Sequence, residues 1–243
     1  IEMHFGQKMG CLSWSNVKQV MTDTLAIFYR IRLLRYYASV EVAPPAPTPP
    51  LVSVVIACPA SSPYLLECLS ALGAQTYRRF EVIVLPDGDA NLGPYGYELR
   101  VIPTGKIRPA EKRNRGIEAA RGEIVAFLDD DAYPVPNWLE HAVPYFALPD
   151  VGGVGGPGVT PPGDPFMGQA GGRVYANLFV SGNFRYRYIG DRVRACVDDF
   201  PSCNLFVRAD TLKAINGYRT DFWPGEDTIL CADIVLGQKK RIV

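Results

Sequence analysis

Four short apolar runs constrain this chain most: "LVSVVIA", "FEVIVLP", "LRVIP" and "EIVAFL", all between Leu51 and Leu128. They are rich in β-branched residues and show no polar alternation, as strands buried on both faces do. Two helix-length stretches separate them. "SSPYLLECLSALGAQ" carries Leu65, Leu69 and Leu72 at helical spacing, with Ser62 before Pro63 as its start. "AEKRNRGIEAARG" is the second, with Gly122 as its expected stop. Strands alternating with helices predict a doubly wound, mostly parallel sheet with flanking helices. In such sheets ligands bind beyond the carboxyl ends of the strands.

Acids stand at those ends. Asp87 follows "VIVLP", and Asp129, Asp130 and Asp131 follow "VAFL". Three consecutive carboxylates repel one another at neutral pH and call for a counter-charge. Mn²⁺ or Mg²⁺ suits them, because either ion takes one or two protein carboxylates and completes its shell with phosphate oxygens. Alternation along an extended backbone sends Asp129 and Asp131 to one side and Asp130 to the other. A solvated loop after a buried strand is the competing account. Upstream, Lys112 and Arg113 sit on the second helix, where they either face phosphates or remain in water. Farther on, Glu226 and Asp227 open a helix. The helix dipole accounts for acids there, and a general base is the sharper alternative.

Composition excludes several classes. Lys and Arg total 25, as do Asp and Glu, so no overall charge draws the protein to nucleic acid. The six cysteines show no C-x-x-C spacing and there are two histidines, which disfavours a structural zinc site. The thiols are expected to be reduced, in a cytoplasmic protein. No run reaches the roughly 18 apolar residues of a membrane span.

Ahead of the sheet region, Trp14 to Val40 has helical periodicity. The end of that stretch, "YRIRLLRYYASV", mixes arginines with aromatic and aliphatic residues, as in a helix lying on an anionic membrane surface or packing on the main domain. "EVAPPAPTPP" then acts as a stiff spacer. The expected organisation is an N-terminal helical segment with a Pro-rich linker over 1–50, and a domain over 51–243 cut short at its C-terminus. "VGGVGGPGVTPPGDPF" has no phosphate-loop spacing and is expected to be an irregular connection. "AGGRVYANLFVSGNFRYRY" is expected either to pack on the sheet or to form an acceptor-binding or membrane-facing surface. "NLFVRADTLKAINGY" reads as a strand and a helix capped by Asp210 and ended by Gly217.

Three stretches together carry a resemblance: "VSVVIACPASSPYLLECLSALGAQTYRRFEVIVLPDGD", "AEKRNRGIEAARGEIVAFLDDDAYPVPNWL" and "PSCNLFVRADTLKAINGYRTDFWPGEDTILCADI". In order and spacing they resemble family-two glycosyltransferases of the GT-A fold, from about Leu51 onward. The resemblance implies an inverting, metal-dependent transferase that moves a sugar from a nucleoside-diphosphate sugar to a glycan or lipid-linked hydroxyl acceptor. It places such an enzyme in cell-surface polysaccharide or glycolipid synthesis, peripheral to the inner face of the cell membrane. Ala57, Cys58, Pro59 and Asp87 would surround the nucleotide. Asp129 and Asp131 would be the two acids of D-x-D, with Asp131 the direct metal ligand and Asp130 meeting the ribose or sugar. Asp227 would be the general base and Glu226 would position the acceptor. The chain departs from the family at Pro86, where an acid is usual, and at Cys58-Pro59, where Thr-Tyr is usual. A sugar-phosphate nucleotidyltransferase and a non-catalytic nucleotide-sugar-binding domain are the alternatives.

Overall fold

The computed structural model describes residues 48–190, 196–197 and 199–243. The helix expected from Trp14 to Val40 and the first part of the spacer lie outside the described residues.

Seven strands form one sheet in the order β3-β2-β1-β4-β6-β5-β7. β1 (Val52–Ala57), β2 (Phe80–Leu85), β3 (Glu98–Val101) and β4 (Ile124–Asp129) run parallel, as their uninterrupted apolar patterns require. β6 (Asn204–Arg208) is antiparallel to both β4 and β5 (Val151–Gly155), and β7 (Arg241–Ile242) pairs in parallel with β5. The core lies on this sheet, with Val55, Ile83, Phe127, Leu205, Val207 and Leu230 almost wholly buried.

Helix α1 (Pro63–Gly73) follows β1 and starts as the sequence predicts: the Ser62 hydroxyl accepts from the Leu65 amide at 3.0 Å. Helix α2 (Pro109–Ala119) lies against β1 and β2. A Cβ on Gly116 would come within 2.4 Å of the Val55 side chain, so only glycine lets this helix approach β1 so closely. Helix α3 (Trp138–Ala142) follows β4. After β5 come α4 (Phe166–Tyr175) and α5 (Leu178–Ser181), then α6 (Ala209–Ala214) behind β6 and α7 (Glu226–Ala232).

Three sequence expectations need correction. The glycine-rich run is not irregular throughout, because its first five residues are β5. Strong pairing on two sides outweighs the glycines' weak strand preference, and the neighbours leave no space for side chains there. A Cβ on Gly155 would fall 1.9 Å from the Phe200 ring. Helix α2 ends at Ala119, before Gly122, which instead lies against β1 and donates its amide to the Ser53 hydroxyl at 2.8 Å. Helix α6 has no side-chain cap: Arg208 precedes it and Asp210 sits in its first turn. Gly217, with φ +70°, does close that region.

Candidate active site

Register brings the acids together. Ala57 pairs with both Leu85 and Asp129, so β1, β2 and β4 finish level on one edge. Because β6 runs the opposite way, its first residue, Asn204, faces Leu128 at the same edge. Ser202 and Cys203, just before it, arrive there with no signal in the local sequence.

Helix α2 supplies the cations. Lys112 is buried, and its ammonium donates to the Cys58 and Leu85 carbonyls and to Asp87. It therefore ties the ends of β1 and β2 to Asp87 and is already committed to these partners. The Asp87 amide donates to the Pro59 carbonyl at 3.0 Å, which fixes the two loops to each other. Arg113 reaches further. Nη2 donates to Asp129 Oδ1 at 3.1 Å and Nη1 to Glu226 Oε1 at 3.3 Å, with Asp227 Oδ1 at 3.9 Å. Its guanidinium lies over the Tyr218 ring, 5.6 Å from the centroid. One arginine thus joins the end of β4 to the first turn of α7. The sequence expectation that Lys112 or Arg113 faces phosphates meets this finding: both already contact carboxylates.

Asp227 is held from the other side. Its carboxylate accepts from the Ser202 amide at 3.2 Å and from the Ser202 hydroxyl. The hydroxyls of Ser202 and Tyr218 lie 2.5 Å apart. Since Ser202 gives its proton to the carboxylate, Tyr218 is the donor in that second bond. The order is Tyr218 to Ser202 to Asp227. Burial pushes the Tyr218 phenol well above its usual range, so it stays a proton donor. Asn114, next to Arg113, fixes Tyr218 by a reciprocal pair: its amide donates to the Tyr218 carbonyl at 2.8 Å and accepts from the Tyr218 amide at 2.7 Å. Sequence reasoning missed Asn114, Ser202 and Tyr218. They lie inside stretches that carry the family resemblance, but nothing local marks them.

The three consecutive aspartates differ. Asp129 is the last residue of β4, and burial raises its pKa although Arg113 opposes the shift. Burial also raises Asp130, and the neighbouring carboxylates add to the effect. Asp131 is exposed. The thiols do not compete for chemistry: burial pushes Cys58 up to about 11 and Cys203 up to about 12, so both remain protonated at neutral pH. Beyond Asp131 opens a cavity of about 800 Å³, lined by Tyr133, Val135, Trp138, Val159 and Asn204 among others. Trp138 donates its indole N–H to the Asn204 side chain at 2.8 Å, which holds one wall.

Among the described residues no group of three or more His, Cys, Asp or Glu forms a metal cage. A cation bound through one or two carboxylates and substrate phosphates needs none, so the exposed Asp131 beside Asp129 fits such an ion.

Residues 53–209 match the model of the family described as "Glycosyl transferase family 2". The chain belongs to this family. Among curated members, it is 35% identical over 99 residues to a putative glycosyltransferase, EpsH, of Bacillus subtilis, covering 37% of this chain and 29% of that protein. It is 29% identical over 193 residues to the glycosyltransferase AglE of Haloferax volcanii, covering 74% and 60%. The chain thus spans less than two thirds of these family 2 relatives. Among solved structures, it is similar to a mannosyltransferase of Pyrobaculum calidifontis in complex with GDP-Man and Mn²⁺, with a TM-score of 0.62 and 21% identity over 93% of this chain and 64% of that one. It is also similar to S. aureus TarS in complex with UDP-GlcNAc, with a TM-score of 0.55 and 18% identity over 79% and 56%. These likenesses establish the GT-A fold.

Proposed function

We propose that residues 51–243 form the donor-binding and catalytic domain of an inverting, metal-dependent glycosyltransferase that uses a nucleoside-diphosphate sugar. The observation that carries this reading is the meeting, through Arg113, of the β4 aspartate with Glu226 and Asp227 on one sheet edge. Family 2 membership favours this reading over a sugar-phosphate nucleotidyltransferase. The solved relatives that hold GDP-Man with Mn²⁺, or UDP-GlcNAc, support the donor class.

In this reading Ala57, Cys58, Pro59 and Asp87 border the nucleotide, and Lys112 keeps that border rigid. Asp130 meets the ribose or donor sugar. Asp131, with Asp129, would hold Mn²⁺ or Mg²⁺, which when bound would supply positive charge to the leaving diphosphate. Glu226 orients the acceptor hydroxyl and Asp227 accepts its proton. The acceptor oxygen forms its bond to the anomeric carbon as the bond to the diphosphate breaks, and the electron pair leaves with the nucleotide. One displacement inverts the anomeric centre, so a single base suffices. A retaining hydrolase would need two carboxylates flanking the bond. The cavity beyond Asp131 is where the acceptor, a glycan or lipid-linked hydroxyl, would lie. The product class is a cell-surface polysaccharide or glycolipid.

Calorimetric titration with UDP, GDP, dTDP and CDP, with and without Mn²⁺, tests the donor site. One nucleotide should bind in a metal-dependent way. Asp131→Asn should remove the gain that Mn²⁺ confers; equal affinity of this variant and the parent in Mn²⁺ would refute the metal assignment.

A further inference from the structure

Of the sixteen large apolar side chains exposed among the described residues, eight fall between Phe166 and Phe184. Scattered exposed apolar residues need no explanation, but a concentration of this kind does. Helix α4 buries no residue at all, nor does α5. Phe179 is 97% exposed, Phe166 81% and Met167 77%. Packing on the sheet therefore accounts for Tyr186 but not for Phe166, Tyr175, Phe179 or Phe184.

The segment is not loose at its base. Tyr186 is buried in the core and donates its hydroxyl to the Asp199 carbonyl at 2.8 Å. The Gly158 amide donates to the Arg187 carbonyl at 2.7 Å, and Tyr175 stacks on Tyr188 at 5.1 Å. The inner side is thus docked while the apolar outer side faces solvent.

Charge selects the occupant. From Pro165 to Gly190 there is no Asp or Glu, and the charged residues are Arg173, Arg185 and Arg187; Asp164 borders the segment, its carboxylate beside Gly168. Arg187 is paired with Asp199. Arg173 is exposed beside the apolar residues, and Arg185 is half-buried. A second copy docking through this face would set arginine against arginine, since a twofold contact uses the same patch on both sides. Phenylalanine, methionine and tyrosine beside the exposed Arg173 instead match an anionic lipid interface, where rings enter the acyl boundary and guanidinium groups meet phosphates.

We propose that the Phe166–Phe184 face is a peripheral docking surface for an anionic phospholipid bilayer. It follows β5, whose last residues, Val154 and Gly155, line the cavity beside Asp131. A bilayer on this face would bring membrane-borne acceptors next to the catalytic edge.

Co-sedimentation of the full chain with vesicles tests the surface. The chain should pellet with phosphatidylcholine vesicles containing phosphatidylglycerol, more weakly with phosphatidylcholine alone, and less as salt rises. Phe179→Ser should lower the affinity about tenfold, the scale for withdrawing one aromatic side chain from an apolar phase. Arg173→Glu should lower it at least about fivefold, the scale of one cationic side chain at an anionic surface. Both residues are exposed, and Met167→Ser provides a third variant should either misfold. A parent chain that stays in the supernatant would overturn the proposal. So would variants that pellet like the parent, which would place any binding elsewhere in the chain, or a dimer that Phe179→Ser dissociates while vesicle binding persists. The assay uses neither donor nor acceptor, so its outcome is independent of the transfer reading.

Discussion

The two edges of the sheet both bury charge, and they do so in opposite ways. At the amino edge, Glu81 is 1% exposed and every nearby group serves it. It accepts from the Ser53 hydroxyl at 2.6 Å, from the Arg121 amide at 2.8 Å and from Arg100 at 2.8 Å. The Arg121 guanidinium adds two further bonds and also pairs with Glu98. Two arginines thus meet two acids. At the carboxyl edge, Lys112 pairs with Asp87, and Arg113 alone meets Asp129, Glu226 and Asp227, with Asp130 and Asp131 following Asp129 in the chain. The first edge is electrically closed and stabilises the fold. The second has an excess of negative charge, which a bound cation would offset. Burying charge is costly at either edge, but only the carboxyl edge leaves the cost unbalanced.

Substitutions at the two edges should therefore differ in what they damage. The largest effect is expected for Asp227→Asn, which should lower turnover about 10²-fold or more while leaving nucleotide affinity nearly unchanged. Single-turnover kinetics beside calorimetry would check it, and an undiminished rate would move the base elsewhere. Glu81→Gln should do the reverse. It should destabilise the protein by roughly 2 kcal/mol, because buried donors lose their anion, and leave nucleotide affinity unchanged. Thermal unfolding would show the loss, and a changed nucleotide affinity would break the separation between the edges.

This second variant also carries a pH signature. Burial alone would raise the Glu81 pKa, but the Ser53 hydroxyl, the Arg121 amide and the two guanidinium groups together hold it lower than usual. A carboxylate with a lowered folded-state pKa stabilises fully above its unfolded value of about 4.3, and that stability is lost as pH falls through the lowered value. The stability gap between the parent and Glu81→Gln should shrink in acid. A gap independent of pH would mean that the charge of Glu81 is not what stabilises.

Ser202→Ala should cost about tenfold in turnover, because Asp227 keeps the amide bond but loses the hydroxyl that orients its other oxygen. Tyr218→Phe keeps the ring under Arg113 and removes only the hydroxyl behind Ser202, so about threefold is expected. If Tyr218→Phe cost more than Ser202→Ala, the order of the hydrogen-bond chain would be wrong.

Much of this was legible in the residues. Strands buried on both faces leave a continuous apolar signature, and the Ser62-Pro63 start is a local signal; both depend on near neighbours alone. β5 was missed because its three glycines erase the strand signature, and their reason, contact with Phe200, Lys240 and Ile242, lies outside the segment. The acids at the strand ends could be located because parallel strands end on one edge. Asn114, Ser202 and Tyr218 could not, because each acts through a partner remote in the chain, up to 104 residues away.

The sequence by itself determined the parallel core, the acids at its carboxyl ends and the family, since periodicity and motif order are properties of the chain read in one dimension. Tertiary structure decided which charges meet. Arg113 looks like any basic residue on a solvated helix until Gly116 seats that helix on β1 and the chain reversal at β6 brings Ser202 to the same edge. Electrostatic partnership depends on distance in space and on burial, and neither is written in the spacing of residues.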